Sequence, residues 1–210
     1  MTTASDIITN DLEKQLNDTG QIFWEKETLF KYTTEAQNAC ILLGVDANIV
    51  TSDFNLAQSS RQVLPSGGIR FVDIEGNVGG GPVTRVKKQT MDECCPGWQS
   101  ETTDSEIEHF LFDEEQPMVF WVYKKPSVNT LQVLLSFAQA APLITSMEDP
   151  LVLSDIYVPA VKEYILWRCF SQEDENTAIA VANQHLSNFF TFLGKKYQGI
   201  EILKAIMKNG

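Results

Sequence analysis

The chain has 210 residues, 43% of them hydrophobic and 10% aromatic, with 28 Asp and Glu against 16 Lys and Arg and a net charge of −12. That length makes one domain or two small ones, with enough apolar material for a real core and too little charge for a disordered acidic chain. Apolar runs such as residues 41–43 fall far short of the roughly 20 residues of a membrane span, and no basic stretch followed by an apolar run opens the chain, so neither a spanning helix nor a secretion signal is expected.

Ile8, Leu12 and Leu16 recur at four-residue spacing, which predicts a short helix over residues 5–16 ended by the turn chemistry of Asn17, Asp18, Thr19 and Gly20. Residues 25–43 read as a second helix: Leu29, Thr33, Ala36, Cys40 and Leu43 share a stripe, acids occupy the first turn, and Gly44 follows as a natural stop. Trp24 stands just before it, where an apolar residue can staple a helix start. The period then changes from about 3.6 to 2. Val50, Ser52, Phe54 and Leu56 alternate with polar residues as in a half-buried strand, and a turn at residues 64–68 precedes an apolar stretch over 69–74. Further strands are expected at 83–91, 109–112, 118–123 and 130–138, with Leu131, Val133, Leu135 and Phe137 on one face of the last. Residues 118–123, which include Trp121, lack alternation and read as a central strand buried on both faces.

Helical spacing returns with Ser154 as N-cap and Asp155 in the first turn, followed by Tyr157, Val161, Tyr164, Ile165 and Arg168 at three and four, with Pro159 early enough to be tolerated. A last helix over 176–193 carries Ile179, Ala182, Leu186, Phe189 and Phe190 and stops at Gly194. Helices that flank a strand-rich middle give the α+β class. The expected organisation is a discontinuous helical bundle from residues 1–47 and 142–194, an inserted antiparallel β domain over 48–141, and a C-terminal tail over 195–210.

Charge follows this division. Residues 1–47 carry three bases against eight acids and residues 48–150 seven against fourteen, while 151–210 are balanced. Residues 92–115 hold nine acids and no Lys or Arg. An acidic body argues against ordinary phosphate-backbone binding and fits a solvated surface.

Candidate chemistry is sparse. Gly79, Gly80, Gly81 and Pro82 lack the following Gly-Lys-Ser/Thr of a phosphate loop and read as a hairpin connection. Cys94 and Cys95 with His109 and His185 have no metal-ligand spacing, and Cys40, Cys94, Cys95 and Cys169 make no disulfide framework in a chain this long, which fits a reducing compartment. No GxSxG elbow is present, and carboxylate pairs drawn from an acidic run carry no weight without geometry. No catalytic residue, metal or cofactor is therefore expected. Trp24, Trp98 after Pro96 and Gly97, Trp121, Tyr164 and Arg168 are read as structural anchors, Arg168 through an acid across the bundle.

Leu16, Asn17, Asp18, Thr19 and Gly20 with Trp24, then Glu27-Thr28-Leu29, Tyr32-Thr33-Thr34-Glu35-Ala36-Gln37, Leu64-Pro65 and Gly68-Ile69-Arg70 follow one another in an order that resembles a family of tailed-phage head-to-tail adaptor proteins. The likeness continues through residues 83–95 into Pro96-Gly97-Trp98, His109 to Asp113 with Gln116-Pro117, Phe120 to Tyr123, and Asp155-Ile156-Tyr157 followed by Tyr164 to Arg168. It departs where Ser154 replaces a usual Pro and where Lys124-Lys125 precede Pro126. The resemblance implies a non-enzymatic virion protein that forms a ring, typically a dodecamer, beneath the portal. Such a ring meets a tail or nozzle protein and surrounds the path of the genomic DNA at the head-tail interface, after assembly in the host cytoplasm. It also implies that the tail docks on the portal. There Lys195, Lys196, Tyr197, Ile200, Leu203, Lys204, Ile206, Met207 and Lys208 combine an apolar stripe with basic charge, although a fifth helix on the same subunit fits that periodicity nearly as well. Two other classes stay open on sequence alone: a host- or receptor-binding module using the aromatic β portion as its surface, and a hydrolytic enzyme.

Overall fold

The computed structural model describes residues 1–18, 23–172 and 176–194. In chain order the elements are α1 (Ala4–Ile7), a π turn (Ile8–Leu12), α2 (Glu13–Gln15), α3 (Lys26–Leu42), β1 (Ile49–Asn55), β2 (Arg61–Val63), β3 (Gly68–Asn77), β4 (Thr84–Arg85), α4 (Lys88–Cys94), a 3₁₀ turn (Trp98–Ser100), β5 (Thr102–Thr103), β6 (His109–Phe112), β7 (Val119–Tyr123), β8 (Lys125–Pro126), β9 (Gln132–Gln139), a 3₁₀ turn (Asp155–Tyr157), α5 (Val158–Phe170) and α6 (Asn176–Phe192). The class is α+β. Among the described residues, 1–47 with 141–194 form one unit and 48–140 the other.

In the helical unit the first helix is not the regular one that four-residue spacing predicts. The π turn inserts an extra residue into its phase, so that adjacent Ile7 and Ile8 are both buried with Ala4 and Leu12, while Leu16 is only half-buried. Its start is doubly capped. Thr3 and Asp6 form a reciprocal capping box, and the Ala4 and Ser5 N–H groups donate to the carbonyls of Asp149 and Met147 at 3.0 and 2.9 Å. Asn17, at φ +51°, ends the segment, and the Asp18 carboxylate receives the N–H groups of Phe23 and Trp24, at 3.1 and 2.9 Å to Oδ2.

The α3 helix buries the expected Leu29, Thr33, Ala36 and Cys40, and Gly44 takes a left-handed φ of +101° at its end, where a residue with a Cβ would be strained. Its buried polar groups are all engaged. Thr33 and Thr34 hydroxyls donate back to the Leu29 and Phe30 carbonyls, at 2.8 and 3.1 Å. Thr34 Oγ1, Gln37 Oε1 and Asn38 Oδ1 then accept from the N–H groups of Ile144, Val152 and Ala141, at 3.0, 2.8 and 2.7 Å. Thr34, with Gln37 and Asn38 one helical turn later, forms a polar ladder that fixes the returning chain along α3.

Asp149 organises that returning chain. Its carboxylate accepts the Thr145 and Ser146 N–H groups at 2.7 and 2.9 Å and both of their hydroxyls, and these donors hold its pKa down to about 2. Because the folded value is depressed, the stability it contributes is fully present above the ordinary carboxylate range near ~4 and is lost as pH falls through about 2. Asp149→Asn is expected to be less stable than the native chain at neutral pH, with the difference closing across that acid window. Urea midpoints at stepped pH check this; a difference constant from neutral pH to pH ~2 rules the account out.

Ser154 lies at the N-cap of the 3₁₀ turn that leads into α5, but its side chain makes no capping bond; Asp155 instead accepts from the N–H and hydroxyl of Thr2 at 3.1 and 2.7 Å. Pro159 falls in the first turn of α5, where a missing N–H costs nothing. The α5 helix packs on α3 and on α6. In α6, Ala182, Leu186, Phe189 and Phe190 are buried as expected, whereas Ile179 is 50% exposed: the apolar stripe begins before the packed surface does.

The β unit holds a three-stranded antiparallel sheet in the order β1-β9-β3 and a four-stranded sheet in the order β2-β7-β6-β4, with β5 and β8 paired apart. The apolar β7 is central, with Val119, Phe120, Trp121 and Val122 buried. Phe71 is the hub of its main core, with ring centroids 4.8, 5.0 and 5.5 Å from those of Phe112, Phe120 and Phe110. Three expectations are corrected here. Residues 83–91 are not one strand: only Thr84–Arg85 pairs, and α4 follows, stabilised by Lys88–Asp92 and Gln89–Glu93 bonds at 2.6 and 2.9 Å one turn apart. The domain is not wholly antiparallel, because the two-residue pairs β4–β6 and β5–β8 are parallel. Gly79–Pro82 is no hairpin turn, since it carries the chain from β3 in one sheet to β4 in the other.

Candidate functional site

Trp98 and Trp121 meet in one cluster of the β unit, and Tyr164 and Arg168 stand one turn apart on α5 in the helical unit. In the β unit, Gly97 adopts φ +91° and turns Trp98 inward, where it is 2% exposed and packs with Met91, Leu111, Val119 and Trp121. The indole Nε1 donates to Asp92 Oδ1 at 2.9 Å. Lys88 and this indole together hold the Asp92 carboxyl below its usual range. Asp92 thus joins α4 to the tryptophan cluster, a role invisible in a run of nine acids.

In the helical unit, Arg168 Nη1 donates to Glu35 Oε2 at 2.6 Å, and its guanidinium lies 4.7 Å from the centroid of the Tyr32 ring. Tyr164, one turn earlier, is 3% exposed and stands edge-on to Trp167 and Phe189; burial pushes its hydroxyl up to about 12. The acid across from Arg168 is therefore Glu35 of α3, 133 positions away in sequence. Trp24 is half-buried at the residue before the Glu25 N-cap, and the bond from its N–H to Asp18 holds the helix start.

The two histidines serve separate structural pairs. His109 bonds Thr84 in the β unit, and His185 bonds Glu163 at 2.8 Å while stacked on Phe170 in the helical unit. Cys40 and Cys169 are buried, and burial raises the Cys40 thiol to about 12, which leaves it unreactive. Cys94 is exposed and Cys95 half-buried, and neither is disulfide-bonded. Among the described residues, no group of three or more His, Cys, Asp or Glu is arranged to hold a metal ion, and no helix is long and apolar enough to cross a membrane. The sequence-predicted docking residues Lys195, Lys196, Tyr197, Ile200, Leu203, Lys204, Ile206, Met207 and Lys208 lie outside the described residues.

What the chain presents to solvent is charge and scattered apolar side chains. Of the nine acids in residues 92–115, eight are exposed, Asp113 being intermediate. Several hold local structure: Glu101 accepts from the Tyr123 hydroxyl, Glu108 from Lys124, and Glu106 from the Gly81 N–H. Of the aromatic residues of the β unit, Phe71, Phe110, Phe120, Trp98 and Trp121 are buried, while Phe54, Phe112 and Tyr123 are half-buried.

Polar and aromatic groups are spent on internal joints, and the class of the protein comes from comparison with known families. The family model described as SU10 adaptor protein matches residues 2–202, and the chain belongs to that family of phage head-to-tail adaptors. None of the curated proteins matches it.

Proposed function

We propose that the protein is a subunit of a ring beneath the phage portal that connects the DNA-filled head to the tail. The family match over residues 2–202 carries this reading. Residues 1–47 and 142–194 act as one discontinuous helical bundle, the β domain over 48–141 is an insertion into it, and the ring forms by a heterologous lateral contact repeated by rotation. The partners are the portal, a tail or nozzle protein and further copies of the chain. Genomic DNA passes through without specific binding, and an acidic wall suits that passage because it repels phosphate. The protein works as a structural component of the virion and is assembled in the host cytoplasm.

The tail over 195–210 is the portal-docking element, its apolar stripe supplying burial and its lysines steering. Deleting residues 197–210 is expected to leave the circular dichroism and melting of the rest unchanged while abolishing co-sedimentation with purified portal rings. A truncated chain that sediments with portals at full occupancy overturns the docking role. Absence of the protein from purified virions by mass spectrometry and imaging overturns the adaptor reading itself.

A further inference from the structure

Strand β1 is an edge strand whose hydrogen-bonding phase is fixed by two flanking bonds. Leu56 N–H donates to the Leu131 carbonyl, and Gln139 N–H donates to the Asn48 carbonyl, both at 3.0 Å. In the antiparallel register of β1 with β9, alternate residues exchange backbone bonds with the partner. Val50, Ser52 and Phe54 therefore face β9 with their N–H and C=O groups, while Ile49, Thr51, Asp53 and Asn55 direct theirs outward. Among the described residues β1 pairs with β9 alone, and those outward groups have no backbone partner.

The other sheet edges are blunted. On β3, register shifts fall at three places, and its Phe71 and Asn77 N–H groups are taken by Pro117 and Gly81 carbonyls at 2.7 and 2.9 Å. Strands β2 and β4 span three and two residues. By contrast β1 runs seven residues in unbroken register and contains no Pro, Lys or bulge, the devices that ordinarily protect an edge.

A charged groove adjoins this edge. On the sheet face opposite the core-packed Val50 and Phe54, the row Asp53, Leu134 and Gly76 crosses the three strands and lines a groove of about 370 Å³ closed by the loop over residues 77–82. Asp53 and Glu75 are its charged residues, and no Lys or Arg lines it. We propose that the outer edge of β1 docks an extended, lysine- or arginine-bearing strand of a partner polypeptide, whose backbone completes the Ile49, Thr51, Asp53 and Asn55 bonds and whose cationic side chain lies in the groove beside Asp53. The main chain supplies attachment and the carboxylates supply selectivity. Pairing of β1 with β1 of a second copy is the competing occupant: centred on Ser52, it sets Asp53 against Thr51 and leaves the groove without a cation.

The test uses the full chain with a short peptide of alternating lysine and valine and its glutamate-valine counterpart, read by amide hydrogen exchange and by titration of backbone chemical shifts. The lysine peptide is expected to protect the outward amides of Ile49, Thr51, Asp53 and Asn55, and to bind roughly tenfold or more tighter than the glutamate peptide. Asp53→Lys, exposed and neutral to folding, is expected to reverse that preference. Asn55→Pro removes one outward donor at the last residue of this edge strand, where the N–H points to solvent and the preceding Phe54 is extended, and is expected to weaken both peptides. Absence of protection at these four amides, equal affinity for the two charges, or protection produced by raising chain concentration without peptide each overturns the proposal.

Discussion

Replacing Trp98 by alanine is expected to destabilise the protein by about 3–5 kcal/mol, the range for removing a buried large aromatic. The indole is 2% exposed and touches residues from α4, β6 and β7, so its loss opens a cavity that several rigid elements border and none can fill by moving alone. The truncation also strands Asp92, which keeps Lys88 but loses the 2.9 Å bond from Nε1. Against a typical folding free energy of about 5–15 kcal/mol, this is a large share. Trp98→Phe separates the two contributions, since it retains most of the volume and removes only the donor; a loss nearer ~1 kcal/mol is expected there. Urea unfolding followed by far-ultraviolet circular dichroism checks both, and a loss under about 1 kcal/mol for the alanine variant would show that the cluster is not what holds α4 to the sheet.

Arg168→Ala is expected to cost about 2–3 kcal/mol, below the range for breaking a fully buried pair, because the Arg168 and Glu35 side chains remain 19% and 28% exposed. Among the described residues the variant leaves the Glu35 carboxylate the long 3.9 Å contact to Lys31, which is itself largely solvated, and it removes the planar cation from the Tyr32 ring. Arg168→Lys keeps the charge and loses the bidentate-capable plane, so it is expected to recover about half of the loss. A double-mutant cycle with Glu35→Gln measures the coupling directly. Coupling near zero, with Arg168→Ala as stable as the native chain, would mean that α3 and α5 are held by apolar packing alone.

Much of the secondary structure was legible because it follows from short-range physics. The 3.6-residue recurrence of Leu29, Thr33, Ala36 and Cys40 and the stop at Gly44 mark α3 without knowledge of its neighbours, as do the alternation of Val133, Leu135 and Phe137 for β9 and the unbroken apolar run of β7 for a strand covered on both faces. The family was legible for a related reason, since its signature lies in the order of many local motifs along the chain. Arg168 and Trp98 stand out by residue type and place, but the residues they meet do not.

The amino-acid sequence by itself thus determined where most of the helices and strands form, the apolar face of the longer ones, and the class and family of the protein. Tertiary structure alone decided how those faces meet. Asn38 holds the Ala141 N–H across 103 positions and Glu35 holds Arg168 across 133, distances over which periodicity carries no information. It also decided that residues 88–94 are helical, because only there does Met91 reach the Trp98 cluster while the charged side chains pair along the turn. The edge of β1 belongs to the same category: alternation marks a strand, yet which strands flank it, and which of its backbone groups stay open, depends on the choice of partners made when the whole sheet closes.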